Sequence, residues 1–233
     1  MKTMEGKKVL ITGGLGFIGS NLARKCVKLG AKVTIFDCLD PRSGGNLYNI
    51  ADIAESVQVS YHNILDFDQV SQVVPEKDII FSCASSTSHA FSMREPWIDS
   101  DVNSKGVINL LEAVRRFNQK AKFVHLGTST QLGKLSYQPA DEKHPEFPTD
   151  IYSANKVAGE KYVIIYSRAY DLNTCVVRLP NTFGPRAAIH SPNFTFNNYF
   201  IGLALQGKDI TVFKPGEQLR NVIYVEDAVA ALI

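Results

Sequence analysis

The chain has 233 residues, of which 45% are hydrophobic and 21% are charged, and its formal net charge is +2. These values exclude a disordered chain, a collagen-like repeat and a strongly basic nucleic-acid-binding protein. No apolar run approaches the ~20 residues of a membrane span, and the basic start of the chain lacks the longer apolar stretch of a secretory signal. The four cysteines show no metal-binding spacing, so we expect reduced thiols, no metal site and a cytoplasmic protein.

Short β-rich runs alternate with longer segments of helical period along the first 180 residues. The runs are almost continuously apolar, which is expected of parallel strands buried on both faces. In the helical segments the apolar side chains fall on one face, most clearly over residues 107–117. The alternation predicts an α/β fold with a doubly wound parallel sheet. The predicted strands are Lys8–Thr12, Lys32–Phe36, Val57–His62, Asp78–Cys83, Lys122–Gly127 and Asn173–Leu179.

The pattern changes after Leu179. Residues 180–198 are rich in proline, asparagine and histidine and show little helical period. Beyond them we predict a helix over Tyr199–Gln206, short strands over Ile210–Phe213 and Asn221–Val225, and a further helix from Glu226. The last residues are still apolar and contain no Gly, Asn or Pro that would stop this helix.

The segment TGGLGFIG, residues 12–19, follows the first strand directly and opens the first helix. In this context Gly13 permits a tight turn, Gly16 lets the backbone approach a pyrophosphate, and Gly19 allows close packing of helix and strand. The diphosphate of a dinucleotide would lie at the positive end of the helix that begins near Phe17 and Ile18. Glycines that serve only as turns are the alternative, but the spacing, the strand and the helix together favour a dinucleotide site.

An acidic residue at the end of the second strand indicates which dinucleotide binds. The carboxylate of Asp37 can bind both hydroxyls of the adenosine ribose and would repel a 2′-phosphate. This favours NAD over NADP. Arg42 is the residue that argues against this choice, because a basic loop could bind the phosphate.

Tyr152 and Lys156 are four residues apart, which places them on one face of a predicted helix. A free tyrosine has a pKa of about 10 and is a poor base at neutral pH. A neighbouring cation and an oxidised nicotinamide would stabilise its phenolate. Lys156 can therefore activate Tyr152 and also bind the nicotinamide ribose. Taken alone, the two residues could also be an ordinary exposed pair.

With TGGLGFIG, Asp37, the triplet Thr128-Ser129-Thr130 and YSANK, the chain resembles the extended short-chain dehydrogenase/reductase family. It is most similar to the NAD-dependent sugar-nucleotide epimerases and dehydratases, of the UDP-glucose 4-epimerase type. The resemblance runs from Lys7 to Ile233. Further family motifs follow in order: Asp66, Cys83-Ala84, Asn103, Arg178-Leu179-Pro180-Asn181, Gln218-Leu219-Arg220 and Tyr224-Val225-Glu226-Asp227.

The resemblance implies that the chain is divided into two parts. Residues 1–180 would form a Rossmann domain that binds NAD. Residues 181–233 would form a small, partial substrate-binding lobe, interleaved with a strand and a helix that return to the first domain. Because family members continue further, we expect a truncated lobe, with NAD binding retained and the affinity and turnover of sugar nucleotides reduced.

The resemblance also implies roles for single residues. Thr128, Tyr152 and Lys156 would be catalytic, with Thr128 relaying a proton between a sugar hydroxyl and Tyr152. Thr128, Asn181 and Arg220 would bind the substrate, the latter two through its diphosphate, to which the always charged arginine is suited. Asp66 with Ile64 or Leu65 would contact adenine, and Asn103 would support Lys156 or the cofactor. The implied NAD contacts are Gly13, Gly16, Phe17, Ile18, Gly19, Asp37, Ile64, Leu65, Asp66, Cys83, Ala84, Ser85, Asn103, Tyr152, Lys156 and Pro180.

The two residues after Thr128 reduce the number of reactions that the resemblance allows. Dehydratases of the family carry an Asp-Glu pair after the catalytic threonine, and decarboxylating members keep the Glu, where this chain has Ser129 and Thr130. We therefore expect oxidation of a nucleotide sugar to a keto-sugar and return of the hydride to the other face, which epimerises C4. The alternatives are another carbon, a dehydratase, an NAD-dependent reductase, or a non-enzymatic dinucleotide-binding regulator. The resemblance further implies a homodimer formed through helices 104–118 and 152–170, with no nucleic acid or membrane partner.

Overall fold

In the computed structural model, which describes residues 3–233, six parallel strands form one sheet in the order β3-β2-β1-β4-β5-β6. The chain winds outward from β1 to one edge and from β4 to the other, as in a Rossmann fold. The predicted doubly wound sheet is confirmed, with strand ends displaced by one or two residues. The strands are β1 Lys8–Thr12, β2 Lys32–Phe36, β3 Val57–Ser60, β4 Ile79–Ser82, β5 Lys122–Thr128 and β6 Thr174–Leu179.

Helices cover both faces of the sheet, and each face has its own buried core. On one face the core includes Leu22 and Cys26, and on the other it includes Val70, Leu111 and Val163. A π-helical turn over Asp101–Lys105 joins two of the helices, α4 and α5. The helices are α1 Phe17–Lys28, α2 Phe67–Val73, α3 His89–Arg94, α4 Pro96–Ser100, α5 Gly106–Phe117, α6 Ile151–Tyr170, α7 Phe196–Leu205 and α8 Val225–Leu232.

A second, two-stranded sheet follows β6. Its strands, β7 (Asn181–Phe183) and β8 (Val222–Tyr224), pair in parallel. The expected returning helix is α8, and Val225 and Val229 on it are buried in the same core as α1. The division of the chain at residue 180 into two domains stays a prediction.

The prediction of a strand over Ile210–Phe213 is wrong. Within residues 3–233 no strand pairs with this segment, and Phe213 is 79% exposed. An apolar run becomes a strand only where a neighbouring strand satisfies its backbone hydrogen bonds.

Among residues 3–233, no helix is both long enough and apolar enough to cross a lipid bilayer.

Candidate active site

One large cleft, of about 2350 Å³, lies at the carboxyl ends of the sheet strands and extends to the small sheet. Pockets for one drug-sized ligand are typically ~300–1,000 Å³, so the cleft has room for two ligands side by side. It includes the switch point between β1 and β4, where doubly wound sheets bind nucleotides. Most of the predicted site residues line it.

The glycine loop forms one wall of the cleft. Gly13 has a φ of +66°, and a Cβ there would lie 2.8 Å from the backbone of Ala84. A Cβ on Gly19 would lie 2.2 Å from the carbonyl oxygen of Gly13, so helix and loop require glycine here. A Cβ on Gly16 would meet only one atom of the described chain within 4 Å, at 3.3 Å, which leaves that side of the loop open.

The N-terminus of α1 faces the same cleft, through Phe17 and Ile18. Among residues 3–233, no side chain caps this helix, and its first turn contains no acidic residue. Its first amide groups and the positive end of its dipole are therefore not neutralised by an anionic cap within the described chain. Together with the open Gly16, these features fit the diphosphate of a dinucleotide.

Asp37 lies at the edge of the cleft, held by two backbone amides. Its Oδ2 accepts a hydrogen bond from Leu15 N–H at 3.0 Å, and its Oδ1 accepts from Leu39 N–H at 2.9 Å. Each carboxylate oxygen keeps acceptor capacity for a ribose hydroxyl. Arg42 also lines the cleft, but its guanidinium binds the carboxylate of Asp40 at 2.8 and 2.5 Å. This ion pair compensates the charge of Arg42, while the guanidinium keeps further N–H donors.

The next wall is the loop after β4, which Cys83, Ala84 and Ser85 contribute to the lining. The hydroxyl of Thr12 accepts hydrogen bonds from the N–H groups of Cys83 and Ala84, both at 3.2 Å, and so fixes this loop against β1. Ile64 and Leu65 line the end of the cleft near Asp37.

The structure does not bring the side chains of Asp66 and Asn103 into the lining. Asp66 caps α2, and its carboxylate accepts a hydrogen bond from Gln69 N–H at 3.1 Å. Asn103 is buried behind the wall, where its Oδ1 accepts from the Ser85 hydroxyl at 2.7 Å and its Nδ2 donates to the Ser86 carbonyl at 2.9 Å. Asn103 therefore supports the wall of the cleft from behind.

Tyr152 and Lys156 both reach the cleft from α6. Burial raises the pKa of Tyr152 to about 12, while the Thr128 hydroxyl acts in the opposite direction. Burial lowers the pKa of Lys156 to about 8, and its ammonium donates a hydrogen bond to the Leu126 carbonyl. Without a bound cation the phenol is a weak acid, and a positive charge beside it would favour the phenolate.

Thr128 ends β5 and begins a row of three hydroxyl groups. Its Oγ1 lies 3.1 Å from that of Thr130, and the hydroxyl of Ser153 donates to Thr130 at 3.0 Å. Since the Ser153 hydroxyl donates a hydrogen bond to the Thr130 oxygen, the hydroxyl hydrogen of Thr130 is free to point at Thr128. The Thr128 oxygen then has its own proton left to donate to the Tyr152 phenolate.

The cleft also contains Pro180, a predicted NAD contact, and the predicted substrate residues Asn181 and Arg220. Arg220 is exposed, and its guanidinium donates only to the neighbouring Leu219 carbonyl among the described residues. It remains available to a diphosphate.

Arg178, which begins the motif that contains Asn181, has a different role. Its guanidinium binds Glu160 at 2.6 and 2.9 Å and Glu146 at 2.5 Å. It ties β6 to α6 one turn after Lys156, and its charge is already compensated.

The sequence does not predict two further residues of the cleft. His89 and Asp150 line the cleft next to Tyr152, and the Nδ1 of His89 lies 2.8 Å from the Oδ2 of Asp150. They are 61 positions apart in the chain, so spacing gives no sign of the pair. Only the position of Asp150 before an amphipathic helix signals a function, and that function is capping.

Comparisons with known proteins agree with this geometry. The chain is 31% identical over 225 residues to a putative UDP-glucose 4-epimerase of Methanocaldococcus jannaschii, covering 96% of this chain and 71% of that protein. The fold is similar to the UDP-N-acetylglucosamine 4-epimerase of Methanobrevibacter ruminantium M1 in complex with UDP-N-acetylmuramic acid. The TM-score is 0.91 at 30% identity, covering 98% of this chain and 72% of the other.

A third similarity concerns the cofactor. The UDP-glucose 4-epimerase of Thermus thermophilus, solved as a complex with NAD, matches with a TM-score of 0.83 at 28% identity, over 96% of this chain and 72% of the other. The sequence model of the NAD-dependent epimerase/dehydratase family matches residues 9–233. The glycine loop, Asp37 and the Tyr152–Lys156 pair all lie within that range and fit NAD. The chain therefore belongs to the NAD-dependent epimerase/dehydratase family.

Proposed function

We propose that the protein epimerises a nucleotide sugar at C4 through a transient keto-sugar, with NAD retained. The observation that carries this proposal is that Thr128, Tyr152 and Lys156 open onto the same cleft as the glycine loop and Asp37. Arg220 lines this cleft as well, so a nucleotide sugar bound at Tyr152 would share the cleft with the cofactor.

In this mechanism Tyr152 removes the proton of the 4-hydroxyl as its carbon is oxidised. NAD, when bound, supplies the hydride acceptor and the hydride donor for the return. Thr128 relays the proton between the sugar oxygen and Tyr152, and the hydroxyls of Thr130 and Ser153 keep its own proton aimed at the phenol. Lys156 adds a positive charge that favours the phenolate.

The groups after Thr128 favour epimerisation over elimination. Ser129 and Thr130 are hydroxyl residues, and loss of water from the sugar needs an acid and a base at these positions. The pKa of a hydroxyl side chain is too high for it to work as a general base near neutral pH. We infer that the keto-sugar rotates and takes the hydride back on its other face.

The test is an NMR assay of products. The chain is incubated with NAD and UDP-glucose, then with dTDP-, CDP- and GDP-sugars, and the configuration at each carbon is read from proton couplings. We expect inversion at C4, with no net formation of NADH. Accumulation of NADH would indicate a dehydrogenase, and a 6-deoxy-4-keto product would indicate a dehydratase.

We also propose a cytoplasmic homodimer. The predicted interface helices correspond to α5 and α6, which expose Phe117 (50%), Ile165 (54%) and Tyr170 (45%). Large apolar side chains exposed on neighbouring helices are typical of a surface that a second subunit covers. The four free cysteines support a reducing compartment.

A further inference from the structure

A histidine and a carboxylate that the reaction above does not use lie beside Tyr152. The ring centroids of His89 and Tyr152 are 4.8 Å apart, at an interplanar angle of 72°, so the imidazole packs edge-on against the phenol. Asp150 holds the Nδ1 of His89 at 2.8 Å. All three side chains line the cleft.

The position of His89 relative to Tyr152 is fixed by the helices that carry them. His89 is the first residue of α3, which Ser88 caps by accepting a hydrogen bond from Phe91 N–H at 3.1 Å. On the same helix, the hydroxyl of Ser92 accepts a hydrogen bond from the backbone N–H of Tyr152 at 3.0 Å. Helix α3 is therefore tied to the start of α6, where the reacting group lies.

The hydrogen bond to Asp150 leaves one nitrogen of His89 free. Within residues 3–233, Nε2 makes no hydrogen bond to the protein, and the side chain is 46% exposed. A carboxylate at Nδ1 favours the tautomer in which Nδ1 carries the proton and Nε2 carries a lone pair. An imidazole oriented in this way by a carboxylate is the usual arrangement of a histidine base.

We propose that His89 and Asp150 form a second acid–base pair, which exchanges the proton on a carbon next to the keto group of a bound nucleotide keto-sugar. The proposal rests on the proposed function, because the 4-keto-sugar is its intermediate. The carbons concerned are C3 and C5, whose C–H bonds the neighbouring carbonyl makes acidic.

In the proposed step, Nε2 of His89 takes the proton from C3 or C5. The electron pair of the broken C–H bond forms the carbon–carbon double bond of an enolate, and the carbonyl pair moves to the oxygen near Tyr152. Return of a proton from Nε2 to the same face restores the sugar with an exchanged hydrogen. Protonation of the opposite face would invert that carbon, so the pair could add a second site of epimerisation without any redox change.

The experiment supplies the ketone directly. UDP-4-keto-6-deoxyglucose is incubated in D2O with the NAD-loaded chain, and loss of the C3 and C5 proton signals is followed by NMR against a protein-free sample. We expect the chain to accelerate exchange, and His89→Phe to slow the accelerated exchange by about 10²-fold. Phenylalanine keeps an aromatic ring against Tyr152 and removes both nitrogens.

Two further variants test the role of the carboxylate and provide a control. Asp150→Ser keeps a good N-cap for α6 and removes the carboxylate, so it should also slow exchange. His190→Phe, at an exposed histidine outside the cleft, should leave the exchange rate unchanged. NAD affinity is measured for each variant to show that it is folded.

Equal exchange rates for the unmodified chain and His89→Phe would overturn the proposal. So would a chain that exchanges the ketone no faster than buffer. The proposed function is tested separately by C4 inversion of UDP-glucose. A chain that inverts C4 but does not exchange C3 or C5 is an epimerase without the second pair, and one that only exchanges the ketone contradicts the proposed function alone.

Discussion

The hydroxyl oxygens of Thr128 and Thr130 lie 3.1 Å apart, and Thr128 also accepts a hydrogen bond from the backbone N–H of Thr130 at 3.3 Å. Because Ser153 donates to Thr130, the hydroxyl of Thr130 can in turn donate to the Thr128 oxygen. In that arrangement the proton of Thr128 is left for Tyr152. We propose on this basis that Thr130 is a positioning residue.

Replacing Thr130 by valine should lower kcat about fivefold and leave KM nearly unchanged. The substitution removes one hydroxyl from the row at constant shape, and a hydrogen bond is worth ~1 kcal/mol, which corresponds to about a factor of five in rate. Stopped-flow absorbance of bound NADH gives the rate of hydride transfer. Thr130→Ser should restore it, and a rise in KM at constant kcat would instead assign Thr130 to substrate binding.

Tyr152→Phe should slow hydride transfer by ~10²–10⁴-fold or more while NAD stays bound, since only the phenolic oxygen is removed. The pKa of Tyr152, about 12 in the cofactor-free protein, should fall when NAD binds, because its positive nicotinamide favours the phenolate. Hydride transfer in the NAD complex should then increase with pH up to that lowered pKa. This titration is followed by the phenolate absorbance of the unmodified chain, and the Phe variant, which lacks that phenolate, is the reference. Unmodified turnover by the Phe variant would exclude Tyr152 as the base.

NAD should bind more tightly than NADP, and Asp37→Ala should weaken NAD and relax this discrimination. The carboxylate offers acceptors to ribose hydroxyls and repels a 2′-phosphate. Arg42→Ala is the matched control and should change neither affinity, because the guanidinium is already paired with Asp40. Calorimetric titration of the unmodified chain and of both variants with each dinucleotide measures the dissociation constants. Equal affinity of the unmodified chain for NAD and NADP would contradict the assignment of Asp37.

Glu112→Gln should destabilise the fold by ~1–2 kcal/mol at pH 7, with allowance for solvent screening. Arg115, Tyr166 and Arg116 hold the pKa of Glu112 at about 2, below its ordinary 4.5. The carboxylate therefore contributes its full stability above pH 4.5 and loses it as the pH falls toward 2. Urea unfolding should show that the difference in the free energy of unfolding between variant and parent is smaller at pH 3 than at pH 7. Glu55→Gln, at an exposed position, should have little effect at either pH, and a constant difference would mean that the ionic contacts of Glu112 do not contribute.

The chain should sediment as a dimer at micromolar concentration. Replacing Ile165 by lysine on the exposed face of α6 should shift it to the monomer, because a charge would then be buried against the second subunit. Leu205→Lys, at a 75% exposed position on α7, is the control and should leave the mass unchanged. A monomer before any substitution would contradict the proposed interface.

Much of the fold follows from local patterns. The six strands of the main sheet are predictable because their apolar runs are continuous and each is followed by a helical segment or a turn. The segment Ile210–Phe213 has the same local character, but whether a partner strand lies beside it is a tertiary property. Sequence propensity alone therefore assigned it wrongly.

The cofactor loop is predictable for a similar reason, since its glycines, strand and helix are consecutive. Asp66 has a capping role in the structure, and its predicted contact with adenine stays a prediction. An acidic residue with Gln69 three positions later is a helix-capping pattern, and in the structure its carboxylate caps α2. The contact between His89 and Asp150 joins two helices and has no periodic signature, so only the folded structure reveals it.

Helix α8 is buried against α1, although the small sheet and α7 separate it in the chain from the rest of the cofactor-binding half. On the ribosome, a nascent chain that has reached residue 180 still lacks the cover for this side of α1. Its exposed apolar stripe is the kind of surface that chaperones bind and that drives aggregation. The core on this side of the sheet is therefore complete only after α8 has been synthesised and has packed against α1.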